Sequence, residues 1–317
     1  MPAVELVGVE KRFGATRAVR GLDLRIPRGS TYGLLGPNGS GKTTTIRMLL
    51  RILEPDAGTL RVFGGDVTPA ALDRIGYLPE ERGLYARMTA RNVLAFLAEL
   101  KGVPPRVSRP RIDAWLERMG LADRADARVQ EYSKGMQQKL QFLAAIIHQP
   151  DLVILDEPFS GLDPINQEVL KEIIAELRTQ GRTILFCTHM IEHAERLCDH
   201  VCIIARGQVL VDGPVATVRR AHGGSHVALT LAELGSGAAA RVRASAQVGA
   251  VQEDGGELHV SLRPEGDPQA LLAELVAAGV GLRRFEIVEP TLRQIFLDRA
   301  AEAPGLADVA DAVQANA

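Results

Sequence analysis

This chain of 317 residues is short of several things, and each shortage excludes something. It has only three cysteines, Cys187, Cys198 and Cys202, an odd number that argues against a disulfide framework. No apolar run approaches the roughly 20 residues needed to span a bilayer, so the chain is not expected to cross a membrane itself. The first residues, Met1-Pro2-Ala3-Val4-Glu5, lack the basic-then-apolar pattern of a secretory signal, and a cytoplasmic location is expected. Neither sign of charge dominates. The formal net charge of −2 gives no broad pull toward nucleic acid or anionic lipid. Tryptophan occurs once, as Trp115, on an apolar helical pattern where it reads as core. The remainder is ordinary: 46% apolar and 24% charged residues suit a globular protein, and the length suggests two domains.

The cysteines raise one chemical question. Cys198 and Cys202 have zinc-like spacing, with His189, His193 and His200 nearby. However, Cys187 and Cys202 lie inside apolar runs, where a free cysteine is usually a small core residue.

What is present is a phosphate cradle. Gly36-Pro37-Asn38-Gly39-Ser40-Gly41-Lys42-Thr43 follows the apolar run Tyr32-Gly33-Leu34-Leu35 and fits G-x-x-x-x-G-K-[ST]. The three glycines let the backbone curl into a nest of N–H groups, and a helix starting near Lys42 aims its positive end into it. Lys42 supplies a cation for the β- and γ-phosphates, and the Thr43 hydroxyl a Mg²⁺ ligand. The pattern says nucleoside triphosphate without saying what its hydrolysis drives.

Around the cradle, residues 4–9 and 18–26 read as an N-terminal antiparallel layer. Further strands are expected at 32–35, 59–63, 75–78, 152–155 and 183–187, and a hairpin at 201–211. Helices are expected at 43–52 and through an inserted helical lobe at 88–147. There Val93, Phe96, Leu97 and Leu100, then Ile112, Trp115, Leu116 and Met119, recur at helical spacing. A third helix of the lobe is expected at 136–148, and another, carrying Leu170, Ile173, Ile174 and Leu177, after the strand at 152–155. Strands separated by helices imply an α/β fold with a parallel sheet. Residues 221–225 mark a linker. Beyond it, strands at 226–231, 248–252, 258–262 and 282–288 and helices at 268–278 and 291–299 form a small α+β domain. Thr291 and Gln294 make a capping box for the last helix. The Ala- and Asp-rich tail from 301 is expected to be mobile. The expected division is thus 1–220, 225–300 and a tail at 301–317.

Chemistry gathers downstream of the cradle. In Leu152-Val153-Ile154-Leu155-Asp156-Glu157, Asp156 closes a buried strand and can hold Mg²⁺, and Glu157 stands ready to polarise an attacking water. Ser160-Gly161-Leu162-Asp163 follows. His189, after Thr188 at the end of the strand at 183–187, can reach the γ-phosphate edge.

Tyr132-Ser133-Lys134-Gly135-Met136-Gln137-Gln138 then resembles the signature sequence of ABC ATPases, commonly Leu-Ser-Gly-Gly-Gln. Taken in order with the cradle, Asp156-Glu157, Ser160–Asp163 and His189, the resemblance to the ABC nucleotide-binding domain covers about residues 3–220. The fold it implies is a P-loop NTPase with an antiparallel β layer and a helical lobe. It also implies ATP and Mg²⁺ as cofactors, with ATP held by residues 36–44, from Gly36 to Thr44. By the same resemblance Phe13 stacks on adenine, and Ser133 and Gly135 give a hydroxyl and an N–H to the γ-phosphate. The family's P-loop and signature lie on different lobes, so a head-to-tail homodimer is implied, in which each copy completes the other's site. Two departures stand out. Lys134 and Met136 replace the usual Gly and Gln of the signature. Glu80, in Gly76-Tyr77-Leu78-Pro79-Glu80-Glu81, stands where the family usually has a Gln that senses Mg²⁺ and water. Glu80 keeps an oxygen ligand, and its charge is expected to shift metal affinity and the timing of hydrolysis.

Residues 77–85, the signature and Glu289-Pro290-Thr291-Leu292-Arg293-Gln294-Ile295-Phe296 are similar to the ATP-binding subunits of ABC-2-type exporters, in particular the sodium-efflux type with an accessory domain. That resemblance implies a separate integral-membrane permease as partner, a peripheral position on the inner face of the membrane, and no nucleic acid. The alternatives are a soluble ABC ATPase acting on ribosomes or DNA, and a nucleotide-gated binder without turnover. The first usually has two nucleotide-binding domains or a long coiled-coil insertion, and Glu157 and His189 argue against the second.

Overall fold

The structure is a computed structural model that describes all residues except 82, 223–225, 233–236, 264, 304–305 and 307–317. Most of the expected tail, and of the linker at 221–225, lies outside the described residues. The chain divides into two compact units, Met1–Gly213 with Ala300–Ala317, and Pro214–Arg299.

The first unit begins with β1 (Val4–Phe13), β2 (Thr16–Ile26), β3 (Thr31–Leu35), α1 (Lys42–Leu49), β4 (Ala57–Val62), α2 (Pro69–Leu72) and β5 (Ile75–Leu78). The helical lobe is α3 (Ala90–Leu100), α4 (Pro105–Arg118) and α5 (Lys134–Ile146). Then come β6 (Leu152–Asp156), α6 (Pro164–Thr179), β7 (Thr183–Thr188), α7 (Ile191–Leu197), β8 (His200–Ala205) and β9 (Gln208–Pro214).

Two sheets result. One is the antiparallel layer β2-β1-β4, and the other is ordered β5-β6-β7-β3-β8-β9. From β5 to β8 every pair in the second sheet is parallel. All residues of β3, β6 and β7 are buried, which is why these strands read as continuous apolar runs rather than alternating ones. The antiparallel layer does alternate. Its Val4, Leu6, Leu22, Leu24 and Ile26 join Leu34, Ile46, Leu49, Ile154 and Leu185 in one core. Each fully buried aliphatic side chain of this kind contributes about 1.5–3 kcal/mol. All three cysteines are free and buried within this unit, as core residues.

The helical lobe departs from expectation in three places. Trp115 is only half-buried and carries the Arg118 guanidinium 5.2 Å from its ring. Phe96 and Leu100, on the expected apolar face of α3, are exposed at 38% and 60%: Leu100 lines an open groove, and Phe96 meets Tyr85 edge-on with ring centroids 5.4 Å apart. The helix expected from Met136 begins at Lys134, so Ser133 is itself the N-cap.

The second unit contains α8 (Val215–Ala221), β10 (His226–Leu231), α9 (Ala238–Ala244), β11 (Val248–Asp254), β12 (Glu257–Leu262), α10 (Pro268–Ala277), β13 (Leu282–Ile287) and most of α11 (Leu292–Glu302). Its antiparallel sheet is ordered β11-β12-β10-β13. With α9, which the sequence pattern did not reveal, the order is β-α-β-β-α-β, a ferredoxin-like unit. Val227, Leu229, Leu231, Leu258, Val260 and Leu271 fill its core. The capping box forms: Gln294 N donates to Thr291 Oγ1 at 3.2 Å, and Thr291 N to Gln294 Oε1 at 2.8 Å.

Candidate active site

Parallel strands deliver their C-terminal ends to one edge of the sheet, and the predicted cradle and carboxylates gather there. After β3 the chain turns through Gly36, Gly39 and Gly41, with φ of 149°, 77° and 110°. A Cβ at Gly36 would lie 2.1 Å from the Ile204 carbonyl oxygen, and one at Gly41 2.5 Å from that of Ala18. Only glycine fits where these backbones meet. Lys42, buried, donates from Nζ to the carbonyls of Gly36 (2.6 Å) and Pro37 (3.0 Å). Burial draws its pKa below the ordinary lysine value, against the pull of Glu157, Asp156 and Glu80.

The acidic side is equally ordered. Asp156 ends β6, and the Thr43 hydroxyl is 3.4 Å from its Oδ2. Burial first, then the charges of Glu80 and Glu157, push the Asp156 carboxyl up to about 6. Glu157 follows in the left-handed region, φ 49°, a conformation that costs a non-glycine residue about 1–3 kcal/mol. Three donors hold its carboxylate. Thr188 Oγ1 donates to Oε2 at 2.9 Å, and the His189 backbone N–H to Oε1 at 2.8 Å. His189 Nδ1 lies 2.6 Å from the same Oε1.

A cleft of about 360 Å³ joins the cradle and the carboxylates, and His189 meets it through Glu157 rather than lining it. Phe13, Ala18, residues 38–44, Glu80, Asp156 and Glu157 line it. Phe13 is 48% exposed at the end of β1, so its ring is available for stacking. Gly36 and Pro37 lie behind the cleft and hold Lys42. Ser133 and Gly135 are not brought into it. Ser133 accepts the Met136 N–H at 3.2 Å as the cap of α5.

The donors fit a hard cation: the Thr43 hydroxyl and the Asp156 and Glu80 carboxylates, all oxygen, line one cleft. Among the described residues no three His, Cys, Asp or Glu side chains form a metal cage.

Sequence reasoning missed three contributors. Thr188 was noted only as the neighbour of His189, yet its hydroxyl holds Glu157. Gln138 and Gln141, on α5, donate to backbone carbonyls beside Glu157 and Glu80. Nothing in their spacing signals these contacts, which bridge segments 19 to 62 residues apart.

The glycine cradle at a strand end, the helix behind it and the acidic strand beside it define a P-loop nucleotide-binding protein of α/β architecture. The family model described as "ABC transporter" matches residues 19–160, and the one described as "ATP-binding protein DrrA1-3-like, C-terminal domain" matches 213–300. The chain is 42% identical to the uncharacterized ABC transporter ATP-binding protein YhaQ of Bacillus subtilis, over 92% of this chain and 96% of that one. It is 36% identical to the daunorubicin/doxorubicin resistance ATP-binding protein DrrA of Streptomyces peucetius, over 93% and 91%. A solved ATP-binding subunit of an ABC transporter superposes with a TM-score of 0.66 at 31% identity, over 69% of this chain and 92% of that one. The chain belongs to the ATP-binding proteins of ABC transporters, and it is an ATPase.

Proposed function

We propose that this chain is the ATP-hydrolysing subunit of an ABC-2-type exporter. It binds MgATP in the cleft and drives a separate permease from the inner face of the membrane, through head-to-tail pairing with a second copy. Similarity to a drug-resistance ATP-binding protein supports export, and among the described residues no helix is long and apolar enough to cross a membrane. Residues 1–220 serve as the nucleotide-binding domain, with the lobe at about 88–147. Residues 225–300 serve as an accessory domain that regulates or stabilises the dimer.

In this reading Phe13 stacks on adenine, the N–H groups of residues 36–44 cradle the phosphates, and Lys42 turns from its carbonyls to the β- and γ-phosphates. Thr43, Asp156 and Glu80 would hold Mg²⁺, which neutralises developing phosphate charge when bound. Glu157, fixed by Thr188 and His189, orients and deprotonates the attacking water. His189 borders the γ-phosphate. Ser133 and Gly135 of the second copy close the site.

The observation that carries the reading is that split: cradle and carboxylates line one cleft, while Ser133 and Gly135 stand outside it. A second hollow, about 500 Å³ and lined by Tyr77, Leu84, Tyr85, Leu97 and Leu100, adjoins the Glu80 loop through Pro79 and suits an apolar segment of the permease. The test is Glu157→Gln. ATP binding should persist while turnover falls about 10²–10⁴-fold, and ATP should drive the variant to a stable dimer in sedimentation. Near-normal hydrolysis would refute the role of Glu157, and a monomer at saturating ATP would refute the pairing.

A further inference from the structure

Helix α5 carries three glutamines whose amides donate to backbone carbonyls of three different segments. Gln137 Nε2 donates to Tyr132 O at 3.1 Å and Val129 O at 3.3 Å, the helix's own approach. Gln138 Nε2 donates to Pro158 O at 3.1 Å and Glu157 O at 3.5 Å. Gln141 Nε2 donates to Pro79 O and Glu81 O, both at 3.0 Å. Those last carbonyls flank Glu80. One amide therefore holds the carbonyls of both residues that flank Glu80, which lines the cleft.

Gln141 is 4% exposed, and its Oε1 has no hydrogen-bond partner. A buried acceptor left unpaired is costly. An apolar side chain would escape that cost but would strand the two loop carbonyls instead. The amide thus acts through its donors. Gln138 and Gln141, three apart, share a face of α5, so the same stripe meets both acidic loops. Gln141 also stands two turns, about 12 Å, along the helix from Ser133.

We propose that Gln141 is a positioning residue for ATP hydrolysis: its amide ties the loop bearing Glu80 to the helix bearing Ser133 and Gly135, so that both move as one body relative to the cradle. The proposal rests on the reading of Glu80 as a group that faces the metal and the water. Its physical content is independent of that reading, because the tie exists whether or not Glu80 acts. The helix that presents the signature to a second copy would thereby also set the place of Glu80 in its own cleft.

The test substitutes Gln141→Met, which keeps length and apolar packing but removes both donors. Amide hydrogen exchange on the nucleotide- and metal-free protein should show Leu78, Glu80 and Glu81 exchanging about tenfold faster, while the amides of α1 are unchanged. In steady-state kinetics, kcat should fall about tenfold, with KM for ATP within about twofold. Adding Gln141→Met to Glu80→Ala should cost nothing further, as for two residues acting through one group. Unchanged exchange, or a full multiplicative loss in the double variant, overturns the proposal. Should Gln141→Met fail to fold, Gln141→Asn keeps donors on a shorter arm and is expected to exchange about threefold faster at the same amides; no change there overturns it equally. Wild-type kcat in Glu80→Ala would sink the reading of Glu80, while the exchange result would still judge the tie.

Discussion

Strands β5, β6, β7 and β3 run in one direction, and at or just beyond their C-terminal ends stand Glu80, Asp156 with Glu157, Thr188 with His189, and the glycine cradle. Strands β10 to β13 pair antiparallel throughout, so neighbouring strands of that sheet end at opposite edges. Polar groups of the second unit pair with one another as well. Arg284 meets Glu257 at 2.8 Å, and Ser245 donates to Glu274 at 2.6 Å. Exposed pairs such as the first contribute little. Direction of the strands, rather than their composition, separates the two sheets: one brings its strand ends to a single edge, and the other divides them between two.

That contrast can be broken by damaging each sheet in turn. Leu229, fully buried in the core of the second unit, should cost about 2–5 kcal/mol when changed to Ala. Calorimetry should show the loss in the transition of that unit, with ATP affinity within about twofold. ATP affinity that fell with it would break the separation between the two sheets.

A subtler blow falls on Asp156. Its folded pKa of about 6 lies above the ordinary 3.8, so the folded protein holds a proton that the unfolded chain has released. The sign follows: stability from this group is full below about pH 4 and is lost as pH rises through about 6. Asp156→Asn should remove a penalty on the order of 3 kcal/mol at pH 7 in the nucleotide-free protein and flatten its melting temperature between pH 4 and 7. It should also abolish Mg²⁺-dependent turnover. A variant no more stable than the parent at pH 7 would contradict the burial argument.

The smallest effect belongs to Thr188. Thr188→Val removes the hydroxyl that holds Glu157 Oε2, while His189 still holds Oε1. About 1–2 kcal/mol, or roughly a tenfold loss in kcat with little change in KM, is expected. Equal losses in ATP binding and turnover would mean that Thr188 supports the cradle rather than the carboxylate.

Several of these residues were visible in the chain before any fold. Gly36, Gly41, Lys42 and Thr43 are legible because the cradle is local: contiguous residues make it, and each type answers one geometric need. Asp156 and Glu157 are legible because a four-residue apolar run announces the buried strand before them. The unit at Pro214–Arg299 was half legible. Its strands alternate clearly, yet α9, an Ala-Arg-rich stretch with little amphipathic contrast, gave no signal, and without it the ferredoxin-like order stayed hidden.

By itself, the sequence determined the cradle, the acidic strand end and the signature turn at Ser133, which depend on neighbours within a few residues, and the parallel character of the sheet, which follows from strands alternating with helices along the chain. Only the tertiary structure decided that Glu157 is gripped by Thr188 and His189, that Gln141 braces both sides of Glu80, and that Ser133 stays out of the cleft. Those facts depend on which distant segments the strand order brings within 3 Å or so, and no local pattern encodes a partner 30 to 60 residues away.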